Sequence, residues 1–154
     1  MGDAPVPEPL DRLAFLVGDL GGPEEVGSTR WAPAGAATAA VQGALHLDGR
    51  LLVQHQTQER DGAVAFRAVN VFMADPETAE VVMYSFDSIG YPPEPPARGT
   101  WQDGDLVLDR VTDRGAARTT YTPTADGYRW SKSYRPPDED EWATLVEGRM
   151  RPTG

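Results

Sequence analysis

Residues 38–73 read TAAVQGALHLDGRLLVQHQTQERDGAVAFRAVNVFM. Two Asp-Gly pairs, Asp48-Gly49 and Asp61-Gly62, divide this stretch into three runs of apolar and β-branched residues interleaved with polar ones. Asp-Gly readily supplies the positive φ angles that tight hairpin turns require, so the stretch predicts three consecutive antiparallel strands. Two-residue turns would place Gln42 opposite His55, and His55 beside Ala68.

The same rhythm continues to the end of the chain, where Asp103-Gly104 and Asp126-Gly127 again separate strand-like runs. No alternation of strands with helices is present, which argues against a parallel sheet. An up-and-down meander of this length leaves two exposed edges unless it closes, so we predict an all-β antiparallel barrel of about ten strands, with a two-sheet sandwich as the alternative. The predicted strands are Val26–Trp31, Thr38–Leu47, Arg50–Glu59, Ala63–Met73, Ala79–Ser88, Ala97–Trp101, Asp105–Val111, Ala117–Thr122, Tyr128–Tyr134 and Ala143–Met150.

Two other segments complete the expected architecture. Residues 9–17 carry Leu10, Leu13 and Val17 at helical spacing, which predicts a short N-terminal helix. The proline-rich residues 91–96 cannot join a central ladder, because proline donates no backbone hydrogen bond. They form either a lid over a barrel mouth or an ordinary surface connection. The length of 154 residues is typical of one domain, residues 1–154.

Composition excludes several classes of function. The chain has no cysteine, so disulfides, thiolate metal sites and cysteine nucleophiles are absent. Its formal net charge of −10 disfavours binding to nucleic acid or to anionic membrane surfaces. The sequence shows neither a signal peptide nor a membrane-spanning run, and we expect a cytoplasmic protein.

Six short motifs are distributed along the chain: Leu13-Ala14-Phe15-Leu16-Val17-Gly18, Leu47-Asp48-Gly49-Arg50, Asp75-Pro76-Glu77-Thr78, Phe86-Asp87-Ser88-Ile89-Gly90, Gly99-Thr100-Trp101 and Glu141-Trp142-Ala143-Thr144. They occur in the order and spacing of a bacterial calycin-like family, which is known as a lipocalin-like domain of unknown function. The chain resembles that family, and more distantly nitrobindin and the fatty-acid-binding proteins, over nearly its whole length. The resemblance implies a ten-stranded barrel whose mouth is plugged by the N-terminal helix, with a ligand cavity inside. One difference is Leu20, where these folds commonly have a tryptophan.

The two histidines do not predict a metal site. In the expected register His46 lies four residues along the strand from the partner of His55, which is about 13 Å at a rise of roughly 3.3 Å per residue. One ion cannot bridge that distance directly. The resemblance to nitrobindin implies a haem-binding histidine late in the chain, and no histidine follows His55. We therefore expect no metal and no cofactor.

Continuing the hairpin register predicts which side chains face the cavity. The opposite assignment remains open, with Gln54, Gln56 and Arg67 lining the cavity instead. A slip of one residue after the fourth predicted strand, Ala63–Met73, would change which side chains of the fifth strand face the cavity. Tyr84, Phe86 and Ser88 would then face it instead of Met83 and Asp87. The predicted ligand-binding residues are Gln42, Val53, His55, Phe66, Asn70, Met83 and Asp87. The tryptophans Trp31, Trp101, Trp130 and Trp142 are expected in the core or rim rather than on a ligand.

Three functions are compatible with these features. The first is binding of a small, largely hydrophobic molecule in the barrel. The second is a cofactor-independent cyclase, isomerase or dehydratase of bacterial secondary metabolism, in which His55 and Asp87 would transfer a proton. Against that role, His55 could be a simple wall residue and Asp87 could cap the strand end before Gly90. The third is an interaction or oligomerisation module with a filled core; a homodimer is a further expectation.

Overall fold

The computed structural model describes residues 8–28, 33–93 and 95–153. Each strand pairs antiparallel with the next along the chain, and β1 pairs with β10, so the sheet closes into a ten-stranded barrel. The predicted all-β antiparallel barrel is confirmed, and the sandwich is wrong. The strands are β1 (Gly18–Val26), β2 (Gly35–His46), β3 (Leu51–Arg60), β4 (Ala63–Ala74), β5 (Val81–Asp87), β6 (Ala97–Gln102), β7 (Asp105–Thr112), β8 (Gly115–Thr124), β9 (Gly127–Arg135) and β10 (Ala143–Pro152).

The Asp-Gly pairs occupy turns, as predicted. Asp61 and Gly62 have φ angles of 54° and 80°, and they connect a hairpin in which Arg60 pairs with Ala63. The turn around Asp48-Gly49 is longer, since His46 pairs with Leu51. Its four-residue length leaves the register unchanged, and Gln42 lies opposite His55 as predicted.

The first strand is not where the sequence pattern placed it. β1 occupies residues 18–26, a glycine-rich stretch, whereas the predicted strand began at Val26; Trp31 lies outside the described residues. Gly22 is required because a Cβ there would lie 1.8 Å from the backbone oxygen of Arg149 on β10. Glycine and proline normally indicate a turn, but here Gly22 allows two strands to approach closely at the barrel seam.

A β-bulge at Ala65 shifts the pairing of β3 with β4 by one residue from the predicted register. Glu59 pairs with Val64, but Gln58 pairs with Phe66, so Ala65 has no partner on β3. Beyond the bulge His55 lies opposite Val69, not beside Ala68 as predicted. Because successive strand residues face opposite sides, this one-residue shift moves every later β4 side chain to the other face relative to β3.

The N-terminal segment closes one end of the barrel, although the predicted continuous helix is wrong. It consists of a four-residue helix, α1 (Glu8–Asp11), and a 3₁₀ turn, Ala14–Leu16. We call residues 10–16 the plug. Leu10, Leu13 and Leu16 are buried in the main apolar core. Within the described ranges, no helix is long and apolar enough to cross a membrane.

The barrel interior has two halves. Near the plug it is filled by apolar side chains, among them Leu52, Phe72, Leu106 and Met150. Towards the far end, where β1 ends and β3 ends, the buried side chains become polar. The candidate site lies in the half with the polar side chains.

Candidate functional site

Polar side chains occupy the inner face of the barrel in the half away from the plug, which we call the polar half. On β3 the buried positions alternate with outward-facing ones, so that three glutamines point inward in succession. Strands β1, β4 and β8 add an acid, an amide and a hydroxyl. The buried polar residues are Glu24, Gln54, Gln56, Gln58, Asn70 and Thr119. Burying polar groups lowers stability unless they are hydrogen-bonded, so their partners define what the site can do.

Glu24 is the most distinctive group in the polar half. Its side chain is 1% exposed, yet both carboxyl oxygens accept hydrogen bonds from neutral donors. Gln58 Nε2 donates to Oε1 at 2.8 Å, and Trp130 Nε1 donates to Oε2 at 2.9 Å. Neither donor carries a positive charge, so this buried acid is hydrogen-bonded without being neutralised by these partners.

Burial raises the pKa of Glu24 above its ordinary value of 4.5, while the hydrogen bonds from Gln58 and Trp130 act in the opposite direction. Desolvation is the largest cause because the charged form loses its hydration inside the barrel. A buried acid with a raised pKa is a candidate functional group. The space around it is limited by Gly148, where a Cβ would lie 3.1 Å from Glu24 Oε2 and 2.7 Å from Trp130 Nε1.

A second hydrogen-bonded chain crosses the interior at the border with the apolar half. Ser85 Oγ donates to Asn70 Oδ1 at 2.9 Å, and Asn70 Nδ2 donates to Gln54 Oε1 at 2.9 Å. Gln54 Nε2 in turn donates to the Tyr128 hydroxyl at 3.3 Å. The chain fixes the orientation of both amides, which stabilises a polar layer beside the Glu24 group.

Aromatic rings form the floor between the polar half and the plug. Trp130 stacks on Tyr121, with ring centroids 6.4 Å apart and planes 20° apart. Tyr121 meets Phe72 and Tyr128 edge-on, and Phe15 from the plug contacts Tyr128 at 5.7 Å. Burial raises the pKa values of Tyr121 and Tyr128 far above 10, so both hydroxyls remain protonated at physiological pH.

The structure separates the predicted interior residues into two groups. Asn70 and Met83 are buried at inner-facing positions. Phe66 and Asp87 also lie at inner-facing positions of the same two strands. Gln42, Val53 and His55 lie on the outer face, so their assignment to the interior is wrong. The bulge at Ala65 is the cause, because it places Asn70 on the face of Gln54 rather than that of His55. Of the alternative set, Gln54 and Gln56 point inward and Arg67 points outward.

The predicted proton-transfer pair does not form. His55 is exposed on the outer face, whereas Asp87 lies on an inner-facing position at the far end of β5. Asp87 Oδ1 accepts a hydrogen bond from the Ile89 backbone N–H at 3.0 Å. Asp87 therefore caps the strand end, which is the alternative that the sequence also allowed.

The tryptophans lie in different environments. Trp101 and Trp130 pack against the core, as expected. Trp142 lies under two guanidinium groups, with Arg118 Cζ 4.5 Å and Arg135 Cζ 5.4 Å from its ring centroid. Among the described residues, no group of three or more side chains of the metal-binding types could hold a metal ion.

The sequence patterns missed Glu24, Gln58 and Trp130 as a group. The signal for Glu24 was present. In a strand, Leu20, Glu24 and Val26 would face the same side of the sheet, and Glu25 would face the opposite side. It could be interpreted only after the glycine-rich stretch was recognised as a strand. Gln58 and Trp130 are 72 residues apart, and nothing local in the sequence brings them together.

The fold is similar to one in a solved structure. The crystal structure of Rv2717c from M. tuberculosis matches 99% of this chain and 100% of that chain, with a TM-score of 0.70. The two sequences are 14% identical, so the similarity concerns the fold alone. No protein-family model matches the chain. The search of curated proteins also gave no match.

Proposed function

We propose that the protein binds a small molecule in the polar half of its barrel, with the Glu24 carboxyl as the main anchor. The observation that carries the proposal is a carboxyl group, 1% exposed, whose two hydrogen-bond donors are both neutral. A ligand that brings a cationic or N–H donor would compensate the desolvation of the charged carboxylate. The fold supports the same conclusion, because closed barrels of this kind commonly enclose small ligands, as calycins do.

The side chains around Glu24 favour a small, flat and partly apolar ligand that carries at least one hydrogen-bond donor. Trp130 and Tyr121 supply aromatic surface next to Glu24, and the oriented amides of Gln54 and Asn70 supply polar contacts. The net charge of −10 favours the approach of cations over that of anions. This proposal retains the largely hydrophobic ligand expected from the sequence and adds a donor group to it.

Thermal unfolding with three related probes tests the proposal. Benzylamine is expected to raise the Tm by about 3 °C or more at ten times its Kd, whereas benzyl alcohol has a smaller effect and benzoate none. Glu24→Gln should abolish the benzylamine shift. Glu25→Gln is the matched control, because Glu25 is the next residue and is exposed. Equal shifts in both variants, or no benzylamine shift in the wild type, would contradict the proposal.

The same carboxyl supports a second candidate function, cofactor-independent proton transfer. A raised pKa brings an acid closer to the working pH, where general acid–base catalysis is most efficient. In this reading Glu24 takes the role that the sequence suggested for His55 and Asp87. A bound organic molecule recovered with the purified protein should exchange an acidic C–H for deuterium in heavy water. The exchange should be slower with Glu24→Gln and unchanged with Glu25→Gln; equal rates would exclude this function.

A further inference from the structure

The charged residues on the inner face of the barrel differ in balance from those of the whole chain. The chain carries 24 acidic and 14 basic residues. Among the described strand residues, however, two acidic side chains share the inner face with three basic ones. All five lie in the half away from the plug, at positions that strand pairing and alternation place on the inner face: Glu24, Asp87, Arg60, Arg110 and Lys132. The polar half therefore offers cations as well as the Glu24 carboxyl.

We propose that the molecule bound beside Glu24 is a small aromatic zwitterion, with an ammonium group at one end and a carboxylate at the other. This ligand class rests on the proposed function: Glu24 binds the ammonium group, and Arg60 and Lys132 bind the carboxylate. Arginine and lysine form charge-assisted hydrogen bonds with carboxylates. A zwitterion has no net charge, so a chain with a net charge of −10 does not repel it as it would repel an anion.

The Arg60 guanidinium lies against the first residue of β2. A Cβ at Gly35 would be 2.7 Å from Arg60 Nη2. Gly35 pairs with Val26, which follows Glu24 by two residues on the inner face of β1. At roughly 3.3 Å per residue, Gly35 is therefore about 7 Å along the strands from the level of Glu24. The ion pairs formed within the described ranges do not include Arg60, so its donors can bind a ligand carboxylate.

An apolar surface lies between Arg60 and Lys132. On the inner face, Val26 of β1 pairs with Gly35 of β2 on one side and with Val146 of β10 on the other. Val146 in turn pairs with Lys132 of β9. Both valines are half-buried. An aromatic ring can pack on them while its acidic substituent lies within reach of the two cations, whose side chains are long.

The acid and the cations are close without neutralising each other. Lys132 lies two residues beyond Trp130 on the inner face of β9, and Trp130 donates to Glu24. Burial and the hydrogen bonds from Gln58 and Trp130 shift the pKa of Glu24, and no cation of the described residues contributes. Asp87, the other inner acid, lies four strands away on β5. A ligand with both charges can therefore bind the carboxyl and the cations together, which a simple amine cannot do.

Isothermal titration calorimetry with 4-(aminomethyl)benzoate and benzylamine tests the proposal. The first probe has an ammonium group and a carboxylate at opposite ends of the ring, and the second lacks the carboxylate. The wild type should bind 4-(aminomethyl)benzoate about tenfold more tightly than benzylamine, because the carboxylate gains charge-assisted hydrogen bonds. Arg60→Met and Lys132→Met should each lose most of this preference, while their affinity for benzylamine should not fall.

Arg67→Met is the matched control, because Arg67 is exposed on the outer face of β4 and its loss changes the net charge equally. This variant should keep the tenfold preference. Equal dissociation constants for the two probes in the wild type would overturn the zwitterionic ligand and leave the proposed function intact. A preference in Arg60→Met and Lys132→Met equal to that of Arg67→Met would also overturn it. If benzylamine does not bind the wild type, the proposed function fails and the zwitterionic ligand with it.

Discussion

Glu24 makes the stability of the barrel depend on pH in a defined direction. Its pKa is 4.5 in the unfolded chain and is raised in the folded protein, so the folded protein binds this proton more tightly. The stability that the protonated group contributes is complete below pH 4.5 and is lost as the pH rises through the raised pKa. Because a single proton is involved, the slope within that window cannot exceed about 1.4 kcal/mol per pH unit.

Glu24→Gln should remove this component. We expect the free energy of unfolding of the wild type to fall relative to that of Glu24→Gln as the pH rises above 4.5, because the variant cannot become charged. Urea denaturation followed by tryptophan fluorescence between pH 4 and 8 measures the difference. Glu25→Gln should run parallel to the wild type, since Glu25 is exposed. Parallel curves for Glu24→Gln as well would mean that Glu24 titrates normally.

Asn70 lies between two partners in the amide chain, because it donates to Gln54 and accepts from Ser85. Asn70→Ala should lower the free energy of unfolding by about 2 kcal/mol, since the buried Gln54 amide and the half-buried Ser85 hydroxyl lose their partner. His55→Ala, on the exposed outer face of the adjacent strand, should change it by less than about 0.5 kcal/mol. Chemical denaturation of both variants makes the comparison. A loss below about 1 kcal/mol for Asn70→Ala would show that water replaces the amide.

At the scale of elements, the plug depends on a close backbone contact. Gly43 lies on the inner face of β2, and a Cβ there would lie 1.9 Å from the backbone oxygen of Leu16. Gly43→Ala must therefore displace the plug, and we expect a loss of about 2 kcal/mol or more. Ala44→Ser, at the exposed neighbouring position, should change stability by less than about 0.5 kcal/mol.

Hydrogen exchange localises that loss. In Gly43→Ala the amides of Leu13, Leu16 and Val17, which donate within the N-terminal segment, should exchange faster, while those of β8 keep their protection. Uniform loss of protection over the whole barrel would contradict a separate plug. Unchanged exchange at Leu16 would contradict the contact itself.

Much of the element order follows from local chemistry. Asp-Gly pairs with positive φ and alternating runs predict nine of the strands within a few residues, because turn and strand signals are both local. β1 was not predicted, because its Gly22 is needed for a close backbone contact with β10, a strand more than a hundred residues away in the sequence. The bulge at Ala65 also has no local signal: residues 63–66 alternate no differently from those of a regular strand.

The site was less predictable than the fold, because it depends on a bulge and on long-range contacts that have no local sequence signal. Asn70 and Met83 were assigned to the interior correctly, since the hairpin between β4 and β5 keeps its register. His55 was assigned to the wrong face because one bulged residue reverses the alternation between β3 and β4. Glu24, Gln58 and Trp130 meet only when the barrel closes, and closure is a property of the whole sheet.

At the scale of the molecule, closure of the sheet creates the candidate site. The inner face carries an aromatic floor and a polar half centred on Glu24. Closure between β1 and β10 brings Glu24 on β1 opposite Gly148 and within reach of Trp130 on β9.

The Trp130 indole N–H tests the central claim most directly, because it donates to Glu24 and we expect it to give its own signal in a ¹H–¹⁵N spectrum of the protein. Its signal is assigned by its loss in Trp130→Phe. On titration with benzylamine the Trp130 signal should shift saturably, and the Trp142 signal, from the outer surface, should not move. If the Trp130 signal stays unchanged, or if both signals drift together without saturation, the polar half of the barrel does not bind the ligand class proposed for it.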